Sequence, residues 1–234
     1  AGKQVMTFRE AADADERISD LSFPASGARA MLTAADDAGP LELAVPGSYN
    51  LRNAAAAYAA GRAIGCPGDR LRAAAASFTG TQRRFQPVGD VAGVRIFDDY
   101  AHHPTEVAAT LTAARGLVGC GRLVACFQPH LFTRTRDFAA EFGAALALAD
   151  EIVVLGIYPA REDPIPGVSG RLVADAAAGV APGRVHYVET LAEAAPALVG
   201  LVRSGDLVVT LGAGDVTKVG PELARRLAIG ETPA

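Results

Sequence analysis

Downstream of about residue 92 the chain alternates short, unbroken apolar runs with segments whose apolar positions recur at helical spacing. The runs Val94 to Asp98, Leu123 to Phe127, Ile152 to Ile157, Val185 to Val188 and Leu207 to Leu211 predict strands buried on both faces. The segments between and after them predict helices over Pro104 to Leu117, about Thr135 to Leu148, Gly170 to Ala178, Leu191 to Val202 and Val216 to Leu227. Pro104 suits a first helical position, where the N–H it lacks would have no partner anyway. Strand and helix in regular alternation predict an α/β fold: a mostly parallel sheet with right-handed crossovers and helices on both faces.

The first 80 residues read differently. Ala28 to Leu32 and Leu41 to Val45 predict two short strands around an Asp-Asp-Ala-Gly-Pro turn. A helix comes next in "NLRNAAAAYAAGRAIG", with Asn50 as the expected N-cap and Gly65 as its stop. A second helix is expected over Gly68 to Ser77. The glycines, proline and polar residues of "FTGTQRRFQPVGDVAG" predict a domain join, with the boundary near residue 80. Two strands and two helices bury little apolar area for an independent domain. Residues 1–80 are therefore expected to be the tail of a larger, incomplete α/β domain.

Composition narrows the function classes. Half of the 234 residues are hydrophobic and 21% are charged, which is the balance of an ordinary globular chain. The net charge is −4 and no Lys/Arg run exceeds two residues, so nucleic-acid binding has no electrostatic footprint. No apolar stretch is long enough to span a bilayer, and the first twenty residues hold no signal core. The cysteines Cys66, Cys120 and Cys126 show no paired spacing, and reduced thiols in a cytoplasmic protein are expected. Only Lys3 and Lys218 are lysines, and neither sits in G-x-x-x-x-G-K-[ST], so the chain carries no P-loop.

Ligands of open α/β sheets bind at the carboxyl ends of the strands, so the residues just after each apolar run locate the chemistry. The first run ends in "DDYAHH" (98–103), the second in "QPHLFTR" (128–134), the third in "YPARE" (158–162) and the last in "GAGD" (212–215). Three of the four histidines lie in these loops. His102 and His103 open a helix, where free N–H groups favour an anion such as phosphate or carboxylate. Of Asp98 and Asp99, only one is expected to face the site, because side chains alternate along a strand. His130 and Arg134 would stand one helical turn apart and suit a small carboxylate. No zinc-type ligand spacing is present. In the first segment Asn50 and Asn53 share a helix face, and an amide matches the donor and acceptor on the edge of adenine. Arg83 and Arg84, in the join, are positioned either for solvent or for a phosphate.

The stretches "PGSYNLRNAAAAYAAG", "RRFQ", "DDYAHHPTE", "FQPHLFTRTRDFAAEF", "ADEIVVLGIYPAREDPIPGVSG" and "LGAGD" occur in an order that resembles the Mur ligases over almost the whole chain. The likeness is strongest from residue 81 onward, to the members that add L-alanine to UDP-N-acetylmuramate. The resemblance implies a cytoplasmic three-domain enzyme of peptidoglycan synthesis. A UDP-sugar domain precedes a central ATPase domain with a P-loop, and a C-terminal amino-acid-binding domain comes last. It places 1–80 at the end of the central ATP-binding domain and 81–234 as the Rossmann-like C-terminal domain. The N-terminal domains, the P-loop and the Mg2+ ligands would then lie outside this chain.

Residue by residue, the resemblance gives Asn50 and Asn53 to adenine, Arg84 to the nucleotide and Asp99 to the ribose. It gives His102 to the reacting phosphate and substrate, and His130 and Arg134, with Tyr100 nearby, to the amino acid. Tyr49 stands where the family usually has histidine. Leu131 stands where many relatives have arginine, which raises the weight on Arg134. The partners implied are ATP with Mg2+, UDP-N-acetylmuramate and L-alanine, with no activity expected from the chain alone. Two other readings stay open. One is the related ligase that recycles murein tripeptide, which typically reads Pro-Arg-Ser-Asn where this chain has "QPHLFTR". The other is a non-catalytic module that binds an anion or a partner.

Overall fold

The computed structural model describes residues 5–11, 13–24 and 27–230. It divides into two compact units, Ala1–Gly80 and Thr81–Ala234.

In the first unit, β1 (Phe8–Arg9), β2 (Glu16–Ser22), β3 (Ala28–Thr33) and β4 (Ala38–Leu43) form one sheet in that order. β1 is parallel to β2, and the other pairs are antiparallel. Along β3, Ala28, Ala30 and Leu32 point inward and the residues between them outward, the two-residue period of a half-buried strand. With Ile18, Leu41 and Leu43 they pack on Leu51, Ala55 and Tyr58 of α1 (Ser48–Ala63). β1 and β2 were not expected: β2 reads ERISDLS, too polar for an apolar-run search to find.

α1 begins earlier than the sequence predicts. Gly47 (φ 103°) is the N-cap, and Asn50 lies in the first turn. The side-chain amide of Asn50 donates back to the Pro46 carbonyl at 2.6 Å instead of capping. The other end is as expected. Gly65 (φ 88°) leaves the helix in the left-handed region, and the Gly65 and Cys66 N–H groups return to the Arg62 and Gly61 carbonyls. α2 (Gly68–Ser77) completes the unit.

The second unit is a six-stranded sheet of β5 (Gln86–Val91), β6 (Val94–Asp99), β7 (Leu123–Phe127), β8 (Glu151–Leu155), β9 (Val185–Val188) and β10 (Leu207–Leu211). The order is β5-β6-β10-β7-β8-β9, and every pair is parallel except β5–β6. β5 corrects the reading of 78–93 as a mere join. Pro87 and Gly89 flank a register shift, which an edge strand tolerates because one side of it owes no ladder hydrogen bonds. Ala92 (φ 53°) and Gly93 (φ 77°) form the two-residue turn into β6.

Strand alternation splits the core into two layers. Leu123, Ala125 and Phe127 face α3 (Pro104–Val118), α5 (Ala139–Leu146) and α6 (Arg171–Val180). Val124 and Cys126 face α7 (Leu191–Leu201) and α8 (Val219–Ala228). Each fully buried Leu, Ile or Phe here stabilises by about 2 kcal/mol. The helix expected over 135–148 is two pieces, α4 (Phe132–Asp137) and α5, broken at Phe138 (φ −124°, ψ 19°), whose ring meets the His103 imidazole edge-on at 5.2 Å. The helix expected from Val216 opens with a 3-10 turn, Asp215–Lys218, before α8. Among the described residues no helix is long and apolar enough to cross a membrane.

Candidate functional site

The carboxyl ends of β6, β7 and β8 bring four rings into a row. Tyr100 meets His102 edge-on at 5.1 Å, His102 meets His130 at 5.9 Å, and His130 stacks on Tyr158 at 5.8 Å with 12° between planes. Arg134, on the first turns of α4, donates to the His102 carbonyl at 3.4 Å. Tyr100, His102, His130 and Arg134, which sequence separates into two loops, thus converge on one rim.

The loop after β6 is built from the two acids beneath it. Asp98, 2% exposed, accepts hydrogen bonds from Thr210 Oγ1 (2.6 Å), Thr217 Oγ1 (3.0 Å) and Arg83 Nε (2.9 Å). Arg83 also donates to the Gly212 carbonyl at 2.6 Å. Held from two sides, its guanidinium lies 5.0 Å from the Tyr100 ring centre, and that of Arg84 lies 5.7 Å away. Asp99, 1% exposed, accepts from the Phe85 and Ala101 N–H groups, both at 2.8 Å. Burial pushes its carboxyl above the usual range, against the opposing pull of these donors.

Two expectations change here. Neither acid presents its carboxylate to the rim, because the chain curls back over the strand end and uses both as straps. A ribose contact from Asp99 requires that strap to open. The N-terminus of α3 is also already matched: the Glu106 carboxylate accepts from the His102 and His103 N–H groups, and His103 Nδ1 accepts from Thr105. The negative charge that this helix end attracts is supplied from inside the chain.

His102 Nδ1 lies 2.9 Å from the Tyr100 carbonyl. An oxygen that only accepts assigns the proton to Nδ1 in the neutral ring and leaves Nε2 as the basic nitrogen. His130 is held differently. Its Nδ1 is buried and makes no hydrogen bond among the described residues. Burial, then the neighbouring Arg134 and His102, push its pKa down, while Glu162 pulls the other way.

The loop carrying His130 is tied on both sides. Leu131 N–H donates to the Tyr158 carbonyl and Tyr158 N–H to the Pro129 carbonyl, at 3.0 and 2.8 Å. Thr133 donates to the Glu162 carboxylate through its N–H (2.9 Å) and its hydroxyl. Leu131 takes φ 73° and ψ 136°, a conformation that side chains rarely adopt and that stores strain next to the site. Gln128 bridges β7 to the loop after β10, donating to Asp215 at 2.8 Å and accepting from Val216 N–H at 3.0 Å.

Sequence reasoning left Arg83 open between solvent and a phosphate, and gave Gln128 and Tyr158 no role beyond their place in the strand-end loops. It assigned the nucleotide contact to Arg84, which is exposed; Arg83 is the arginine built into the frame. One tyrosine at a strand end carries no signal by itself, and only the pairing of its strand extension with His130 makes it part of the site. Asn50 and Asn53 belong to the first unit, where Asn53 is exposed and Asn50 is tied to Pro46.

A neutral imidazole, a second imidazole with a free Nε2 and a guanidinium on one rim suit an anion next to a small ammonium group. A UDP-N-acetylmuramate–L-alanine ligase of Cutibacterium acnes is 58% identical over 223 residues, which are 94% of this chain and 47% of that protein. The crystal structure of the UDP-N-acetylmuramate–alanine ligase MurC from Thermotoga maritima superposes with a TM-score of 0.80 at 26% identity, over 96% of this chain and 48% of that one. A MurF ligase from the same species, solved in complex with ADP, shares the fold with a TM-score of 0.71 at 20% identity, over 96% and 49%. The chain spans about half the length of the curated relatives it matches. The family model of the Mur ligase glutamate ligase domain matches residues 83–214, which hold all four rings and Arg134, and the chain belongs to the Mur ligase family.

Proposed function

We propose that this chain is the amino-acid-binding half of an ATP-dependent ligase that joins L-alanine to UDP-N-acetylmuramate in peptidoglycan synthesis. The observation that carries the reading is the convergence of His102, His130 and Arg134 on one rim of the second unit. The identity to UDP-N-acetylmuramate–L-alanine ligases supports the choice of substrate.

In this reading the lactyl carboxylate of the sugar attacks the γ-phosphate of ATP, forming an acyl phosphate and releasing ADP. The alanine amine attacks the acyl carbon, and the tetrahedral intermediate expels phosphate. Phosphoryl transfer asks the protein for position and positive field. Arg84, exposed beside Tyr100, would meet a phosphate, and His102, whose Nδ1 lies against the Tyr100 carbonyl, would offer Nε2 to the same chemistry. Arg134 pairs with the alanine carboxylate. Asn53 and, once released from Pro46, Asn50 would read the adenine. Among the described residues no three His, Cys, Asp or Glu side chains gather as a metal site.

The test is phosphate release from ATP by the full-length protein carrying this chain, given UDP-N-acetylmuramate with L-alanine or with murein tripeptide. Turnover with L-alanine is expected, and none from this chain alone. Dependence on tripeptide instead would move the assignment to the recycling ligases.

A further inference from the structure

We propose that Tyr158 is a positioning residue: seated in space that Gly214 leaves open, its ring holds the His130 imidazole in place for the incoming amino acid. The inference rests on the reading of the His130–Arg134 loop as the amino-acid site.

A functional histidine is ordinarily oriented by a hydrogen bond at its second ring nitrogen. His130 has none among the described residues, since its Nδ1 is buried without a partner. Its orientation must come from packing, and two neighbours supply it. The edge of His102 lies on one side at 5.9 Å, and Tyr158 stacks face to face at 5.8 Å. Distances of this order fall within the range at which rings attract. The backbones are tied as well, through the strand-like bridge between His130 and Tyr158.

Tyr158 in turn is fixed by the loop after β10. A Cβ on Gly214 would lie 2.5 Å from Tyr158 Cγ and 2.5 Å from Gln128 Oε1, closer than carbon atoms approach. The missing side chain therefore admits both the ring and the amide that latches this loop to β7. His130 as a whole is half-buried, with its Nδ1 shut off from solvent. Arg134 on α4 and His102 after β6 add to the burial in disfavouring its protonated form, and Glu162 after β8 opposes them. A neutral ring, with Nε2 as the nitrogen left to meet a ligand, accepts from an ammonium group that a charged ring would repel.

The experiment is steady-state kinetics of the full-length protein carrying Tyr158→Ala, Tyr158→Leu, Tyr158→Phe or Gly214→Ala, with His130→Ala and Arg134→Ala as references and thermal melts of each. The Ala and Leu variants of Tyr158 and Gly214→Ala are expected to raise the KM for L-alanine about tenfold or more while the KM for ATP holds, the scale of a misplaced site group. Tyr158→Phe should recover most of the loss, because the ring and not the hydroxyl does the holding. In Tyr158→Ala the acid limb of the pH profile of kcat/KM for L-alanine should move up toward the ordinary imidazole value. An unchanged alanine KM in Tyr158→Ala and Tyr158→Leu, while His130→Ala and Arg134→Ala respond, overturns the positioning role alone. Indifference of alanine KM to both reference substitutions overturns the reading of the loop, and the proposal with it.

Discussion

The six-stranded sheet has two edges of opposite character. At the amino ends of its parallel strands, charged groups close on one another. Arg122 donates to Asp206 at 2.7 Å, to Glu151 at 3.0 Å and to the Leu201 carbonyl at the end of α7. Arg95 caps the Leu117 and Val118 carbonyls of α3, Arg115 pairs with Asp150, and His186 meets Glu151. At the carboxyl ends, among the described residues, a buried nitrogen of His130 has no partner, Leu131 is strained and Arg84 is exposed without an ion pair. The contrast teaches where each edge spends its interactions. One completes its helix ends and fixes the sheet, and the other leaves groups unmatched for a ligand to complete.

Substitutions sharpen this contrast. The largest effect expected is on the paired edge: Arg122→Ala strands the buried Asp206 carboxylate and should cost about 3 kcal/mol of stability in chemical denaturation. On the open edge His102→Ala should lower kcat of the full-length protein about a hundredfold, the scale of a lost proton-handling group, with its melting temperature held. A melting loss as large as that of Arg122→Ala would erase the distinction between the edges. Arg134→Ala comes next. Losing a charged hydrogen bond worth about 2 kcal/mol should raise the KM for L-alanine roughly thirtyfold and leave that for ATP nearly unchanged. Equal effects on both would remove it from the carboxylate.

Smaller effects probe strain and charge. Leu131→Gly should gain about 1 kcal/mol in denaturation, because glycine accepts the positive φ without the strain. The same change should weaken alanine binding by loosening the His130 loop. The smallest effect is on pH dependence. The folded-state pKa of His130 is pushed below the ordinary 6.5, so the unfolded chain takes up the proton first as pH falls. Its contribution to stability is complete above that value and is lost as pH drops through the folded pKa; His130→Gln should remove this slope from denaturation curves recorded between neutral and mildly acidic pH. Asp99, whose pKa is raised above 3.8, has the opposite sign: stability on its account is greatest below that value and is lost as pH rises through the folded pKa.

Much of the frame was readable from local pattern. β7 and β10 are unbroken apolar runs, and a strand buried on both faces needs nothing else to announce it, whereas β9 (VHYV), an edge strand, is only half-buried. α2 and the glycine exit of α1 arise from local backbone preference. β5 and β2 escaped because an edge strand with Pro87 and Gly89, or a polar strand at the rim of a small sheet, has no apolar period to detect. The start of α1 escaped because Gly47, not the better side-chain cap Asn50, occupies the turn.

The loops show the same division. That chemistry gathers after the strands of the second unit was plain from the letters themselves, since a parallel sheet sends every strand's carboxyl end to one edge. The sequence therefore determined the layer, its direction and the rim that carries His102, His130 and Arg134. Only the tertiary structure decided that Asp98 and Asp99 turn inward, that Arg83 and not Arg84 is built into the frame, and that Tyr158 braces His130. Those outcomes depend on which polar atoms find partners across strands more than a hundred residues apart, as Asp98 does with Thr210 and Thr217. Pairing of that kind is settled by packing and desolvation, for which no neighbour in sequence is a guide.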